Sequence, residues 1–512
     1  MMNKFMSAEA AAALVQDGDT VGLIGGGGGL LEAACLFSAV ERRFLESAHP
    51  RNLTLVHSLG IGDRKARGLN CFAHEGMVKR VVGGHWVWSP TMQKLAADEK
   101  IEAYILPGGV ITQLYREIAA HRPGLFTHVG LGTVVDPRFG GGKMNKSAKD
   151  DLVDVMEIDG RELLRYRTFP INVALIRGSF ADSHGNICMD QEPTNLEAYA
   201  IALAAHNSGG KVIAQVRTAV DVGTLSSRQV RIPGAIVDAV VVDPDQSMCY
   251  DLVYDPTISG EIRGPVQPEA VQPFTERQAV ARRAWEELRD GAVINYGFGM
   301  PDAVAKIVAV RGDQDRYYQT IEHGTYGGSL LEGMLFGFAR NASAMIDAPS
   351  QFDFYAGGGL DITFLGFGEI DAKGNVNVSK LNGRTVGPGG FIDIAQNAKK
   401  VVFCGTFDAK GTQLKTGDGK MQIVKHGEIC KLVKDVEQIT YSGPQGLRLG
   451  QEVLYVTERA VFRLTPEGVA LTEVAPGVDI RRDVLDRMAF TPIMTSDPKV
   501  MSSHYFMDTA KA

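Results

Sequence analysis

The chain has 512 residues, 45% of them hydrophobic and 22% charged, so at roughly 150 residues per domain it can form two to four domains with sizeable cores. Its 60 acidic and 53 basic residues give a net charge of -7 and form no long run of Lys and Arg, which argues against a nucleic-acid partner. No stretch reaches the roughly 20 apolar residues that cross a bilayer, and the first residues lack a signal-peptide core, so we expect a cytoplasmic protein without a membrane partner.

The glycine, cysteine and histidine residues bear on the turns, disulfides and metal sites that the chain can contain. The 59 glycines exceed the usual share of about 7%, which indicates tight turns and close approaches to the backbone. The six cysteines are scattered without a C-x-x-C pair, which argues against a zinc site and a disulfide framework. His74, Glu75 and His85 fit no metal-binding spacing, so we predict no metal.

The first predicted elements are a helix and a glycine-rich turn. Ser7 opens the helical stretch "AEAAAALVQ", and Asp17-Gly18 leads into the apolar strand "DTVGLI", which ends in five glycines, 25–29. The N–H groups of these glycines are placed to hold a phosphate or an oxyanion, but a packing loop is an equally good interpretation. The run is too degenerate for a dinucleotide fingerprint.

Two segments indicate an internal duplication. "VALIRGSFADSHGNICM" (173–189) and "ITFLGFGEIDAKGNVNV" (362–378) align without gaps, with Asp182 over Asp371. The same shift places "KVIAQV" over "KVVFCG". Each half therefore contains an apolar strand, a D-x-x-G-N turn, another strand, a helical stretch and a further buried strand. Since D-x-x-G-N is good turn chemistry, we assign the two aspartates to architecture and not to catalysis.

The second half begins as the first does. A capping box at Thr275 and Gln278 opens the helix "ERQAVARRAWEELR", and Asp290-Gly291 leads into the apolar strand "AVINYGFG". The parallel with the N-terminal helix, Asp-Gly turn and strand supports the duplication.

Glycine, proline and charge replace apolar periodicity at 259–273, so we place a domain boundary there. The predicted domains are 1–260 and 274–512. Apolar strands that alternate with helical segments predict α/β domains with mostly parallel sheets covered by helices on both faces.

The C-terminal half contains the candidate site. "GFGMP" (297–301) and "GPGGF" (387–391) are glycine turns beside predicted strands or helices, where α/β sheets bind ligands. In "TIEHGTYGG" the carboxylate of Glu322 follows a β-prone run and precedes three glycines, Gly324, Gly327 and Gly328. A solvated turn acid and a plain Gly-Pro-Gly turn are the simplest alternatives. A carboxylate that a large substrate must approach explains the lack of side-chain bulk.

Five segments together resemble family I coenzyme A transferases of the single-chain propionate or acetate (short-chain acyl) type. They are "TIEHGTYGG", "VGPGGFIDIAQNAKKVVFCGTF", "FAHEGMVKRVVGGHW", "RPGLFTHVGLGTVVDPR" and "YVTERAVFRLTPEGVALTEVAPGVDI". The segments extend over both halves, which makes the combination more specific than any single motif.

The resemblance implies a mechanism and its participants. It makes Glu322 the nucleophile, which attacks an acyl-CoA thioester and then becomes a glutamyl-CoA thioester. It implies no permanently bound cofactor and no metal, with coenzyme A serving as substrate and covalent intermediate. The expected partners are an acyl-CoA, a small carboxylic acid and further copies of the chain in a homo-oligomer.

The resemblance also implies main-chain contacts for CoA and for the oxyanion. We favour Gly389 and Gly390 as oxyanion donors. The residues predicted to contact CoA are five glycines with backbone donors and one apolar wall: Gly297, Gly299, Gly387, Gly389, Gly390 and Phe391.

Three features depart from the family pattern and leave the acyl group open. His323 replaces the usual asparagine, and we interpret it as an orienting hydrogen-bond donor or a tolerated side chain. Gly108 stands where relatives commonly carry glutamine, which could enlarge the acyl pocket or require another donor. The N-terminal signature is also incomplete. A CoA-ester hydrolase that uses the same glutamate, or a non-catalytic module that binds a phosphorylated metabolite, are the alternative functions.

Overall fold

The computed structural model describes residues 3–265, 274–494 and 496–508, so residues 266–273 of the predicted boundary lie outside the described residues. The chain divides into two compact units. The first unit consists of Met1–Gly264, Glu322–Asp353 and Asn382–Asp393, and the second consists of Pro265–Ile321, Phe354–Leu381 and Ile394–Ala512. The sequence domains 1–260 and 274–512 stay a prediction, because the units are defined by packing and exchange two segments between the halves of the chain.

The first unit is built on a parallel sheet. Its seven parallel strands are, in spatial order, Ala239–Val242, Lys211–Val220, Val173–Asp182, Thr20–Leu23, Leu53–His57, Val78–Gly83 and Glu102–Ile105. Shorter strands are Gly124–Thr127, Val153–Ile158, Arg161–Arg167, Ile187–Cys188, Val230–Ile232, Thr325–Tyr326, Ser329–Leu330, Ala339–Arg340, Ala344–Met345 and Arg384–Thr385. Its α-helices are Ala8–Ala12, Ala34–Ser47, Pro90–Ala97, Gly108–Ala119, Ala198–Asn207 and Pro256–Ser259.

The second unit has a mixed sheet. Its parallel strands are, in spatial order, Glu452–Val456, Lys400–Cys404, Ile362–Gly366, Val293–Tyr296 and Tyr318–Ile321. Beyond Glu452–Val456 the sheet continues antiparallel through Ala460–Thr465 and Gly468–Val474, followed by Lys499–Val500. Shorter strands are Glu369–Ile370, Val376–Asn377, Lys380–Leu381, Asp408–Ala409, Gln413–Gly417, Lys420–Lys425 and Ile429–Cys430. Its α-helices are Glu276–Trp285, Asp302–Arg311 and Gly443–Arg448, while Ala348–Ala356 and Phe391–Asn397 each contain a unit boundary.

The two sheets share one topology, as the duplication predicts. In the first unit Lys211 pairs with Val173 in parallel, and in the second unit Lys400 pairs with Ile362 in parallel. Both pairs are related by the sequence shift of the aligned segments. Five parallel strands have the same spatial order in the two sheets. The first-unit strands Ala239–Val242, Lys211–Val220, Val173–Asp182, Thr20–Leu23 and Leu53–His57 correspond to Glu452–Val456, Lys400–Cys404, Ile362–Gly366, Val293–Tyr296 and Tyr318–Ile321.

The duplicated turns also match bond for bond. Asp182 Oδ1 accepts the backbone N–H of Asn186 at 3.0 Å, and Asp371 Oδ1 accepts that of Asn375 at 3.0 Å. The asparagine side chain donates to the second carboxylate oxygen at 2.9 Å in both units. These carboxylates stabilise turns, and their interpretation as architecture is confirmed.

Local signals at the helix starts are confirmed as well. Ser7 Oγ accepts the N–H of Ala10 at 3.2 Å, and the capping box of Thr275 and Gln278 forms with a backbone bond of 3.0 Å. None of the helices in the described parts of the chain combines the length and apolar composition needed to cross a membrane.

Candidate active site

Glu322 directly follows the C-terminal end of the strand Tyr318–Ile321, where α/β sheets place ligands. Its side chain is only 20% exposed. The carboxylate accepts no hydrogen bond from the described residues, and burial raises its pKa from 4.5 to about 7. A carboxyl group that is largely removed from water and has no hydrogen-bond donor lowers the free energy of unfolding, which points to a role other than stability.

Gly390 lies against this carboxylate. A Cβ atom at position 390 would be 1.8 Å from Glu322 Oε2 and 3.2 Å from Cζ of Phe352. The backbone of Gly390 does not have a positive φ, so the close approach, and not the conformation, requires glycine here. Its N–H donates to no atom of the described residues. The site therefore places one free backbone donor beside one unpaired carboxylate.

Two other segments of the first unit hold the Gly389-Gly390 backbone in place. The N–H of Gly389 donates to the carbonyl of Gly84 at 2.7 Å, and the N–H of Gly108 donates to the carbonyl of Gly389 at 2.6 Å. A Cβ at Gly387 would be 2.5 Å from the Gly84 carbonyl. The turn is fixed by backbone contacts, and at Gly387 the approach of the Gly84 carbonyl leaves no room for a side chain.

Gly108 and Gly109 begin the helix Gly108–Ala119, whose first N–H groups have no partner within the helix. The Gly109 N–H donates to Asp393 Oδ2 at 3.1 Å, so a carboxylate from the turn region satisfies this helix end. Burial raises the pKa of Asp393 well above its usual range, and the negative charge of Glu322 raises it further. The helix end, Asp393 and the glycine turn thus form one connected support.

The missing side chain at position 108 does not open a cavity at its Cβ position. A Cβ there would lie 2.9 Å from the carbonyl oxygen of Ser58 and 3.1 Å from the carbonyl carbon of Gly389. The backbone of these two residues occupies the space. Gly108 brings the helix end against the turn, so these contacts do not support the first of its two interpretations, an enlarged acyl pocket.

His323 lies beside Glu322 and is held by its own contacts. Its Nδ1 is 3.1 Å from the carbonyl oxygen of Gly337, and its own carbonyl accepts the Thr194 hydroxyl at 2.9 Å. Its Nε2 is 3.9 Å from Glu322 Oε1, which is beyond hydrogen-bond distance. Burial lowers the pKa of the imidazole to about 4. Of the two interpretations of His323, the contacts favour the hydrogen-bond donor, whose proton goes to Gly337 and not to Glu322.

The comparisons with known proteins agree with this geometry. The sequence profile described as Coenzyme A transferase matches residues 5–243. Acetate CoA-transferase YdiF of Escherichia coli O157:H7 is 43% identical over 506 residues, which cover 99% of this chain and 95% of the relative. Caffeate CoA-transferase of Acetobacterium woodii is 45% identical over 516 residues, with 99% and 98% covered. The chain belongs to the coenzyme A transferase family.

The structural comparison supports the same assignment. The crystal structure of the acyl-CoA transferase YdiF from E. coli O157:H7, solved as a thioester complex with CoA, has a TM-score of 0.94 and 42% identity, with 99% of this chain and 97% of that chain covered. The predicted α/β fold class and the prediction of a CoA-transferase are confirmed.

Within this CoA-transferase, three of the five glycines predicted as main-chain donors already use their N–H groups. Gly389 donates to Gly84, Gly297 donates to the carbonyl of Phe364 at 2.8 Å, and Gly299 donates to Asp302 Oδ2 at 3.2 Å. The Gly389 N–H is therefore not free for an oxyanion in this structure, because its proton has another acceptor.

Gly387 and Gly390 keep backbone N–H groups that bond to none of the described residues. Gly387 and the buried ring of Phe391 belong to the same unit as Glu322, whereas Gly297 and Gly299 belong to the other unit. CoA contacts by these residues stay a prediction.

The three glycines after Glu322 serve the local backbone. Gly324 has φ +99°, and a Cβ there would lie 2.2 Å from the carbonyl oxygen of Ile346. Gly328 has φ +80°, and a Cβ there would lie 2.3 Å from the carbonyl oxygen of Arg340. Gly327 has φ +66°. Only glycine adopts these conformations easily, so hairpin geometry is a sufficient reason for them without any reference to substrate access.

The five-glycine run near the N-terminus packs closely against other parts of the first unit. A Cβ at Gly27 would lie 2.2 Å from the ring of Trp88, and one at Gly28 would lie 2.5 Å from the carbonyl oxygen of Met334. The Gly28 N–H donates to the carbonyl of Gly62 at 2.9 Å. Of the two interpretations of this run, the structure favours close packing of the chain on itself.

Sequence reasoning missed the residues that support the site. Gly84, Asp393 and Phe352 contact the glycine turn or the helix end beside it. No spacing between these residues in the sequence predicts those contacts. The segments "VVGGHW" and "GPGGFIDI" both contributed to the family resemblance, which was the only available signal that they belong to one site.

Proposed function

We propose that this enzyme transfers coenzyme A between an acyl-CoA and a small carboxylic acid through a glutamyl-CoA thioester on Glu322. The observation that carries the proposal is the unpaired carboxylate of Glu322 lying over Gly390, the position where any side chain would collide with it. Such an arrangement suits a nucleophile that must be reached by a substrate and must not be bound by protein donors.

The reaction consists of two exchanges of an acyl bond. The ionised Glu322 attacks the thioester carbonyl, the carbon–sulfur bond breaks, and CoA leaves as a thiolate from a glutamyl-acyl anhydride. The thiolate then attacks the glutamyl carbonyl, the carbon–oxygen bond breaks, and the first acid leaves as a carboxylate. A second carboxylate reverses these steps and leaves as a new acyl-CoA. No net proton transfer is required.

A carboxylate is a weak nucleophile, so stabilisation of the tetrahedral oxyanions must supply much of the rate. We assign this role to the Gly390 N–H, because it is free and lies beside the carboxylate. Loss of one aligned donor typically lowers turnover by about 10² to 10³. Burial of Glu322 contributes in the same direction, since a poorly solvated carboxylate is a stronger nucleophile than a hydrated one.

The CoA chain is proposed to contact Gly387, Gly390 and Phe391, which belong to the same unit as Glu322. For the acyl group, acetate and propionate are the first candidates, since one relative is an acetate CoA-transferase, while another is a caffeate CoA-transferase.

The proposal is tested by trapping the intermediate. Incubation with propionyl-CoA and no acceptor should add the mass of CoA less water to the peptide that contains Glu322, and borohydride should then inactivate the enzyme irreversibly. Glu322→Ala should lose adduct and turnover. Glu322→Asp should be slowed on the order of 10²-fold, because its carboxylate is withdrawn by about 1 Å.

Glu369 provides the matched control. Glu369 Oε2 already accepts bonds from Asn377 and from the Glu437 N–H, each at 2.8 Å, so Glu369→Ala should keep the adduct on Glu322. Label on Glu369 or near-normal turnover by Glu322→Ala would refute the assignment. Rapid loss of CoA from the trapped enzyme to water, with no increase on adding acetate, would indicate a hydrolase instead.

A further inference from the structure

The imidazole of His323 has a fixed orientation. Its Nδ1 lies 3.1 Å from the Gly337 carbonyl oxygen, and a Cβ at Gly337 would be 2.4 Å from its Cε1, so a residue other than glycine would displace the ring. The Thr194 hydroxyl holds the His323 carbonyl at 2.9 Å. The side chain is 8% exposed. These contacts restrict the ring to one position next to Glu322.

This orientation determines which nitrogen carries the proton. A carbonyl oxygen only accepts hydrogen bonds, so the short contact with Gly337 places the proton on Nδ1. In a neutral ring Nε2 then has a lone pair and no proton. Nε2 lies 3.9 Å from Glu322 Oε1 and has no hydrogen-bond partner among the described residues. The group beside the nucleophile is therefore an acceptor that no protein donor uses.

We infer that His323 determines acyl specificity by accepting a hydrogen bond at Nε2 from a hydroxyl close to the carboxyl carbon of the substrate. The inference rests on the proposed function, in which the acyl group is joined to Glu322. An acyl carbon on Oε1 lies within one bond of that oxygen, so a hydroxyl on the adjacent carbon can approach Nε2 to about 2.8 Å.

The same geometry favours a hydroxylated acyl group over the plain acyl group of equal length. A saturated chain beside His323 excludes water from Nε2 without providing a donor, which leaves a polar atom unpaired. Asparagine, the residue expected from the family resemblance, differs in reach: its amide nitrogen overlaps the Nδ1 position, and nothing extends to the Nε2 position. His323→Asn therefore keeps a donor for Gly337 and removes the acceptor.

The test compares 2-hydroxybutyryl-CoA with butyryl-CoA, which differ by one hydroxyl, using acetate as the acceptor. For each enzyme the measured quantity is the ratio of the two kcat/KM values, hydroxylated over plain. We expect this ratio to fall about three- to tenfold in His323→Asn, the range for loss of one hydrogen bond between neutral groups. His121→Asn, an exposed residue of the same unit, is the matched control and should keep the wild-type ratio.

The outcomes separate this inference from the proposed function. Transfer that occurs with an unchanged ratio in His323→Asn would overturn the role of His323 alone. Absence of transfer from either acyl-CoA to any carboxylate in the wild-type enzyme would overturn the proposed function.

A second measurement does not depend on activity. In protein labelled with ¹⁵N-histidine, the signals lost in His323→Asn identify this ring. They should show a protonated Nδ1 and an unprotonated Nε2 near neutral pH. A doubly protonated ring, or a proton on Nε2, would overturn the inference, because Nε2 would then be a donor.

Discussion

Replacement of Gly390 by alanine is the smallest change that should disable the active site. The backbone at Gly390 has an ordinary φ, so alanine introduces no backbone strain, and its effect comes from one methyl group. That methyl carbon would lie 1.8 Å from Glu322 Oε2, whereas ordinary contacts begin near 3.4 Å. The carboxylate must therefore move by about 1.6 Å, or the turn must move away by a similar distance.

The turn cannot easily absorb this shift. Gly389 is bonded on both sides, to Gly84 and to Gly108, so displacement of the turn breaks backbone hydrogen bonds. Movement of the carboxylate is the easier response. Because a misplacement of about 1 Å can lower the rate on the order of 10²-fold, we expect Gly390→Ala to lose at least about 10² in kcat. Steady-state transfer from propionyl-CoA to acetate and the rate of adduct formation both measure this loss.

Two other glycines provide the controls. Gly417 has an ordinary φ and no atom within 4 Å of an added Cβ, so Gly417→Ala should leave kcat unchanged. Gly389→Ala places a methyl group 3.8 Å from Cβ of His85 but at φ +53°, so it measures backbone strain without a collision with Glu322. If Gly390→Ala retained kcat within about threefold of the wild type, the position of Glu322 over Gly390 would not be the reactive one.

Three further expectations follow from the site and the fold. Burial raises the pKa of Glu322 to about 7, and only the ionised form attacks, so kcat/KM should fall about tenfold per pH unit below pH 7. A flat pH profile of kcat/KM from about pH 5 to 8 would contradict the assignment of Glu322 as the nucleophile. Gly109→Ala places a Cβ 2.3 Å from the Phe352 ring and 2.5 Å from Asp393 Oδ1, so the free energy of unfolding, measured by denaturation, should fall by about 1 to 3 kcal/mol. An unchanged free energy of unfolding would mean that the helix end relaxes freely. Asp182→Ala leaves the turn donors of Asn186 unpaired, so it should destabilise the first unit by about 1 to 3 kcal/mol and leave kcat unchanged. A large loss of kcat would contradict the structural role of Asp182.

The duplication was predictable because its signals are local. A D-x-x-G-N turn uses its own aspartate and asparagine, so the sequence contains the whole hydrogen-bond set of Asp182 and of Asp371. Even a distant bond is repeated: Asn186 accepts the N–H of Gly234 at 2.9 Å, and Asn375 accepts that of Gly443 at 3.1 Å. This second bond was not predictable, because the spacing between turn and partner differs in the two halves.

The packing of segments was not predictable from patterns. Glu322–Asp353 and Asn382–Asp393 come from the C-terminal half of the sequence but fold with the first unit. Apolar periodicity and turn residues predict helices, strands and turns. The contact of Gly389 with Gly84 and Gly108 forms because all three residues lack a side chain. A glycine gives no indication in the sequence of which backbone approaches it.

The high glycine content therefore has two causes that only the structure separates. Gly387 admits the Gly84 carbonyl, and Gly324 admits the Ile346 carbonyl, so these close approaches are made by the chain itself. Gly390 instead admits the carboxylate of Glu322 and keeps its own N–H free. A glycine turn beside a strand end indicates a ligand site only when both conditions hold, since a donor that is already bonded cannot stabilise an oxyanion. By this criterion Gly390 qualifies, whereas Gly297, Gly299 and Gly389 do not, although all four occur in equally suggestive sequence motifs.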